Sequence, residues 1–88
     1  MRYSVKVSKK ALKGIASAPE RIQEAFDALA SDLAESGPVQ PMWANYSKLG
    51  GNRHHCHLSH KWVACWTGND EVIEIEVYYA GSRENAPY

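Results

Sequence analysis

Between Arg53 and Trp66 the chain reads Arg-His-His-Cys-His-Leu-Ser-His-Lys-Trp-Val-Ala-Cys-Trp, gathering all four histidines, both cysteines and two of the three tryptophans into fourteen residues. The pattern has period two on either side of a break at Ser59 and His60, which predicts two antiparallel strands joined by a tight turn. On the first strand, alternation puts His54, Cys56 and Leu58 on one face and His55 and His57 on the other. On the second, Val63 and Cys65 alternate with Trp62, Ala64 and Trp66. If Cys56, Leu58, Val63 and Cys65 point inward, His55 and His57 stand together on the open face of a sheet.

A chain of 88 residues makes one small domain, residues 1–88, with room for a single core. Its 44% hydrophobic and 23% charged content suits a globular protein rather than a disordered one. No run approaches a membrane span and the opening Met-Arg-Tyr-Ser-Val-Lys-Val is no signal peptide, so a cytoplasmic protein is expected. Two cysteines alternating with core-type residues are expected as buried free thiols. Ten basic side chains balance ten acidic ones, so any nucleic-acid contact must rest on local clustering rather than on net charge.

Tyr3–Val7 alternates like a first strand, and Ser8 is placed to cap a helix over Lys9–Ala16. There Ala11, Leu12 and Ile15 face inward, while Lys9, Lys10 and Lys13 face solvent, where they are candidates to contact phosphate. Pro19 and Glu20 open a second helix whose stripe of Ile22, Ala25, Phe26, Leu29 and Leu33 belongs in a core and which stops before Gly37 and Pro38. From Gly37 to Gly51 periodicity is lost, predicting an extended surface connection held down by Met42, Trp43, Tyr46 and Leu49. Thr67–Asp70 is a turn, and Glu71–Ala80 is a strand with Ile73, Ile75, Val77 and Tyr79 inward. Glu74, Glu76 and Tyr78 face outward. Either glutamate could orient His55 or His57 and raise its pKa, or could itself act as a base.

The short first strand, the helical hairpin, the Lys48-Leu49-Gly50-Gly51 entry, the Arg53–Trp66 hairpin and the Tyr-Tyr-Ala-Gly-Ser-Arg-Glu-Asn ending resemble the RelE branch of the RelE/ParE toxin superfamily. The resemblance spans nearly the whole chain and is strongest from Lys48 onward. It implies an α+β domain, strand-helix-helix-strand-strand-strand, with a helical hairpin on one face of a twisted, mainly antiparallel four-stranded sheet. It also implies a type II toxin that cuts messenger RNA in the ribosomal A site without a metal or other cofactor, and a cognate antitoxin that wraps it.

Such cleavage needs a group to accept the 2′-OH proton, a cation to stabilise the phosphorane and an acid to protonate the 5′-oxygen. Positions that are commonly lysine in the family correspond to His55 and His57, which can exchange protons near neutral pH. The family's arginine after the last strand matches Arg83, and its terminal aromatic matches Tyr88, placed to stack on a base or orient the 2′-OH. The transition-state arginine falls on Lys61 or Trp62, with Lys61 preferred because it keeps the charge. Arg53, Lys48, Trp62, Lys9, Lys10 and Lys13 are the RNA-binding candidates. Without a basic excess, attraction to the ribosome should be weaker than for a strongly basic toxin.

Three other readings accompany this one. His54, His55, Cys56, His57 and His60 are all possible zinc ligands, but only His55 and His57 form a close pair on one face. A ParE-like toxin would instead inhibit gyrase by binding, although the first helix here is short for that branch. A catalytically weak RelE-like RNA-binding protein is the third.

Overall fold

The computed structural model describes residues 3–68 and 73–87. Two helices pack on one face of a five-stranded mixed sheet, so the domain is α+β. Strand β1 (Ser4–Val7) leads into α1 (Lys9–Ala16) and α2 (Glu20–Ser36). Strands β2 (Ser47–Gly50), β3 (Arg53–His57), β4 (Trp62–Thr67) and β5 (Glu74–Ser82) follow, and a short 3-10 turn, Arg83–Asn85, ends the order. The spatial order is β1-β5-β4-β3-β2, with β1 parallel to β5 and the other neighbours antiparallel.

Local sequence accounts for both helices. The Ser8 hydroxyl accepts the Ala11 amide hydrogen at 3.1 Å, satisfying one of the amides that a helix start leaves without a partner. Helix α2 buries Ile22, Phe26, Leu29 and Leu33 at i, i+4, i+7 and i+11, and ends at Gly37, whose φ of 94° suits a residue without Cβ. Leu12 of α1 is an exception to the expected core, being half exposed at 51%.

Helix α1 lies against β5 at the closest range a backbone allows. A Cβ built on Gly14 would stand 1.8 Å from the Ala80 carbonyl oxygen. Alanine is intrinsically the better helix former, by about 1 kcal/mol. Gly14→Ala should nevertheless cost about 1–3 kcal/mol, because α1 must lift off β5 to admit the methyl group. A lowered denaturation midpoint by circular dichroism would show it; a raised one would refute the close packing.

Three expectations are corrected. The sheet has five strands rather than four, because Ser47–Gly50, inside the stretch expected to be an irregular connection, pairs with β3 as an edge strand. Its four residues carry no pattern of their own, and the hairpin is made by Gly50 and Gly51 at φ 106° and 56°. Met42 does not pin the connection, since it is 93% exposed. Trp43 does, donating its indole N–H to Asp32 at 2.8 Å, and it packs with Tyr46 against the core.

The third correction concerns which way β4 and β5 face. In an antiparallel pair, residues directly opposite share a face, and His55 is opposite Cys65, His57 opposite Val63, and Cys56 opposite Ala64. Ala64 and Trp66 therefore join Cys56 in the core beneath the helices, while Val63 and Cys65 lie on the face of His55 and His57. Strand β5 carries a bulge, so that Tyr79 pairs with Cys65 but Val77 with Trp66. Ile75, Val77 and Ala80 face the helices, and Tyr79 crosses to the other side. Ile73, also expected inside, is 51% exposed. The expected start of this strand at Glu71 lies outside the described residues.

Candidate active site

The face away from the helices is not bare. Val63, Cys65 and Tyr79 form a second small cluster, with Tyr78 and Ala86 packed against it. Ala86 draws the segment after β5 back over this face, and the Arg83 amide donates to the Lys61 carbonyl at 2.8 Å, fixing where the segment leaves the sheet. These contacts bring Arg83 to the end of the sheet where β3 and β4 meet.

On β3 the alternation places Arg53, His55 and His57 in one row on this face. The His55 and His57 rings are edge to face, their centroids 5.9 Å apart. His55 is nearly buried, with its Nδ1 hydrogen-bonded to the Ser47 hydroxyl at 3.0 Å. His57 is more open. Its backbone amide donates to Ala44 at 2.8 Å, and its Nδ1 faces the Asn45 side-chain amide nitrogen at 3.4 Å.

Partial burial, then the nearby positive groups His55, Arg83 and His60, hold the His57 pKa below its ordinary value. The shift is downward, so the expectation that a glutamate would raise it fails for His57. Glu74 instead faces Lys6 at 3.9 Å, and Glu76 lies opposite Thr67, along the sheet from the histidine pair.

His54 points to the other face and is structural. The Gly68 carbonyl can only accept, so His54 Nε2 carries the proton and donates to it at 3.0 Å, leaving Nδ1 to accept from the Tyr46 hydroxyl at 2.8 Å. Its ring lies parallel to Trp66 within 7°. Both cysteines are free and buried on opposite faces. Burial pushes the Cys56 thiol up to about 12 and the Cys65 thiol to about 11, the latter moderated by a hydrogen bond with Tyr78. Neither is a nucleophile near neutral pH.

The remaining candidates divide by location. Lys61 is exposed at the β3–β4 turn, where His60, Lys61, Trp62, Ser82, Arg83 and Glu84 line a recess of about 290 Å³. Trp62 contributes to that recess while packing against the core on the helix side. Arg53 stands beside Tyr78, a half-buried aromatic on the histidine face that the alternation of β5 placed outward without suggesting a role. Lys48 is opposite His54 and shares its face, at the sheet edge. Lys9, Lys10 and Lys13 lie on α1, in the helical layer across the sheet from the histidines. Tyr88 lies outside the described residues. Among the described residues, no three His, Cys, Asp or Glu side chains are grouped to hold a metal ion.

By sequence alone the chain matches no protein-family model and no curated protein. Solved structures do match. A chain of the archaeal RelE–RelB complex of Pyrococcus horikoshii superposes with a TM-score of 0.75 at 18% identity, over 98% of this chain and 100% of that one. A chain of the DinJ–YafQ toxin–antitoxin complex of E. coli gives 0.77 at 14% identity over the whole of both. The chain has the RelE-like toxin fold. A doubly arginine-substituted E. coli RelE toxin in the free state gives 0.76 at 18% identity, over 98% of this chain and 88% of that one. Within this RelE-like fold, the histidine pair occupies the sheet face opposite the helices, with Arg83 near enough for its charge to act on His57, and the described residues contain no helix long and apolar enough to cross a membrane.

Proposed function

We propose that the protein is the toxin of a type II toxin–antitoxin system, a cytoplasmic ribosome-dependent endoribonuclease that cuts messenger RNA in the A site and is neutralised by a cognate antitoxin. The observation that carries this reading is the meeting of His55, His57 and Arg83 on the open face of a RelE-like toxin fold. The antitoxin follows from the complexes in which the structural relatives were solved.

The reaction is transfer of phosphorus to the neighbouring hydroxyl. The 2′-oxygen bonds to phosphorus, the bond from phosphorus to O5′ breaks, and a 2′,3′-cyclic phosphate remains. One imidazole of the pair takes the 2′-OH proton, and the departing 5′-oxygen takes a proton from water. The Arg83 guanidinium, with Lys61 near it, stabilises charge on the nonbridging oxygens. Arg53 and Tyr78 extend the same face, offering a further cation and a ring on which a base can stack. Tyr88 remains the candidate to orient the hydroxyl or stack on a base.

Induced expression of wild type and Arg83→Ala in a bacterial host, with 5′ ends mapped on translated and untranslated copies of one message, tests the reading. New ends should appear at codon-related positions on the translated copy alone, and the variant should reduce them about 10²–10³-fold, as for removal of one transition-state contact. Growth arrest with intact message would replace this reading by gyrase binding of the ParE-like kind.

A further inference from the structure

The short stretch that turns into β2 does more than close the edge of the sheet. It places two side chains against the histidine pair, Asn45 on His57 and Ser47 on His55. Asn45 is the only non-glycine residue with positive φ among the described residues, at 53°. Asparagine tolerates that conformation better than most residues, so the backbone alone would justify it there. Its side chain, however, presents an amide nitrogen to His57 Nδ1 at 3.4 Å. That nitrogen only donates, and a donor requires a bare ring nitrogen opposite it. The Ala44 carbonyl accepts the His57 amide hydrogen at 2.8 Å, which sets the backbone beside Asn45 alongside that of His57.

We propose that Asn45 is a positioning residue that holds His57 as the neutral tautomer protonated on Nε2, so that His57 gives the reacting phosphate a hydrogen bond and leaves the proton transfer to His55. This rests on the ribonuclease reading above and assigns the two histidines different work within it. A doubly protonated ring would set an N–H against the N–H of Asn45. The groups facing His57 from the rest of the site act in the same direction. His55 on its own strand, Arg83 after β5 and His60 in the turn all disfavour a second positive charge. A neutral imidazole is a poor acid but a good donor, as where an imidazole of lowered pKa polarises a carbonyl in another enzyme. Arg83, whose charge is among those acting on His57, supplies the cation for the same phosphate.

The full chain, labelled with nitrogen-15, reports the tautomer directly from its imidazole nitrogen shifts, with no RNA present. At neutral pH His57 should show a bare Nδ1 and a protonated Nε2. Asn45→Gly keeps the positive φ but removes the donor, and should return His57 to mixed tautomers with a pKa nearer the ordinary value. Asn45→Asp substitutes an acceptor and should move the proton to Nδ1, with a pKa raised by about 1–3 units. In cleavage of a ribosome-bound message, His57→Gln retains an N–H donor and should stay within about tenfold of wild type, whereas His57→Ala should fall about 10²–10³-fold. A wild-type His57 protonated on Nδ1, or on both nitrogens at neutral pH, overturns the proposal. So does His57→Gln proving as inactive as His57→Ala. If wild type cleaves nothing, the ribonuclease reading and the catalytic half of the proposal fall together, and the nitrogen shifts decide the positioning half alone.

Discussion

Replacing Trp66 by alanine should cost about 3–5 kcal/mol of folding free energy, the usual range for emptying a fully buried aromatic site. Trp66 is wholly buried under the helices, and its ring lies among His54 and Tyr46 with centroids 5.9–6.2 Å away. Its indole N–H donates to the Pro38 carbonyl at 2.9 Å, tying the segment after α2 to the middle of the sheet. Alanine would open a cavity, leave that carbonyl without its donor and remove the surface on which His54 stacks. A small domain has on the order of 5–10 kcal/mol to lose, so roughly a third or more of its stability depends on this side chain. Urea denaturation followed by circular dichroism measures the loss. Trp66→Phe, which keeps most of the ring and removes only the N–H, should cost about 1–3 kcal/mol. Equal losses for the two variants would show that the hydrogen bond, and not the filled volume, is what matters.

His55→Ala should reduce ribosome-dependent cleavage about 10²–10⁴-fold, the range for loss of a general acid–base group. Because His55 is 8% exposed and bonded to Ser47, the variant will also lose some stability, and its fold must be checked before its activity is read. His55→Gln provides the comparison. It fills the space and keeps a hydrogen bond to Ser47 within reach, but cannot exchange a proton. If His55 moves the proton, the glutamine variant should be as inactive as the alanine variant while unfolding close to wild type. Substantial activity in the glutamine variant would remove His55 from proton transfer. This outcome is the reverse of that expected at His57, so the pair of glutamine variants separates the two roles.

Much of this was legible in the sequence because it depends on near neighbours along the chain. Helix α1 runs from Lys9 to Ala16 as its apolar spacing and Ser8 cap predict, and α2 stops where Gly37 ends it. The Arg53–Trp66 hairpin forms, and period two alone puts His55 and His57 on one face of it with His54 on the other. The resemblance to RelE toxins rested on the order of such elements, and the superposition on RelE and YafQ structures agrees with it at the level of fold.

Wherever the outcome depends on how one strand meets another, the sequence was silent or misleading. Val63 and Cys65 look like core and are buried, yet they lie behind the histidines because pairing register, not composition, chooses their face. Tyr79 changes sides at a bulge whose extra residue no alternation can reveal in advance. Strand β2 exists because β3 offers it an edge, and with it come Asn45 and Ser47, the side chains that fix the histidine rings. The chain by itself determined which residues form helices and hairpin and which histidines share a face, since those follow from bond geometry over a few residues. Tertiary structure alone decided what stands beside those histidines, because hydrogen bonds between strands and the close approach of Gly14 to Ala80 join positions the local sequence cannot relate.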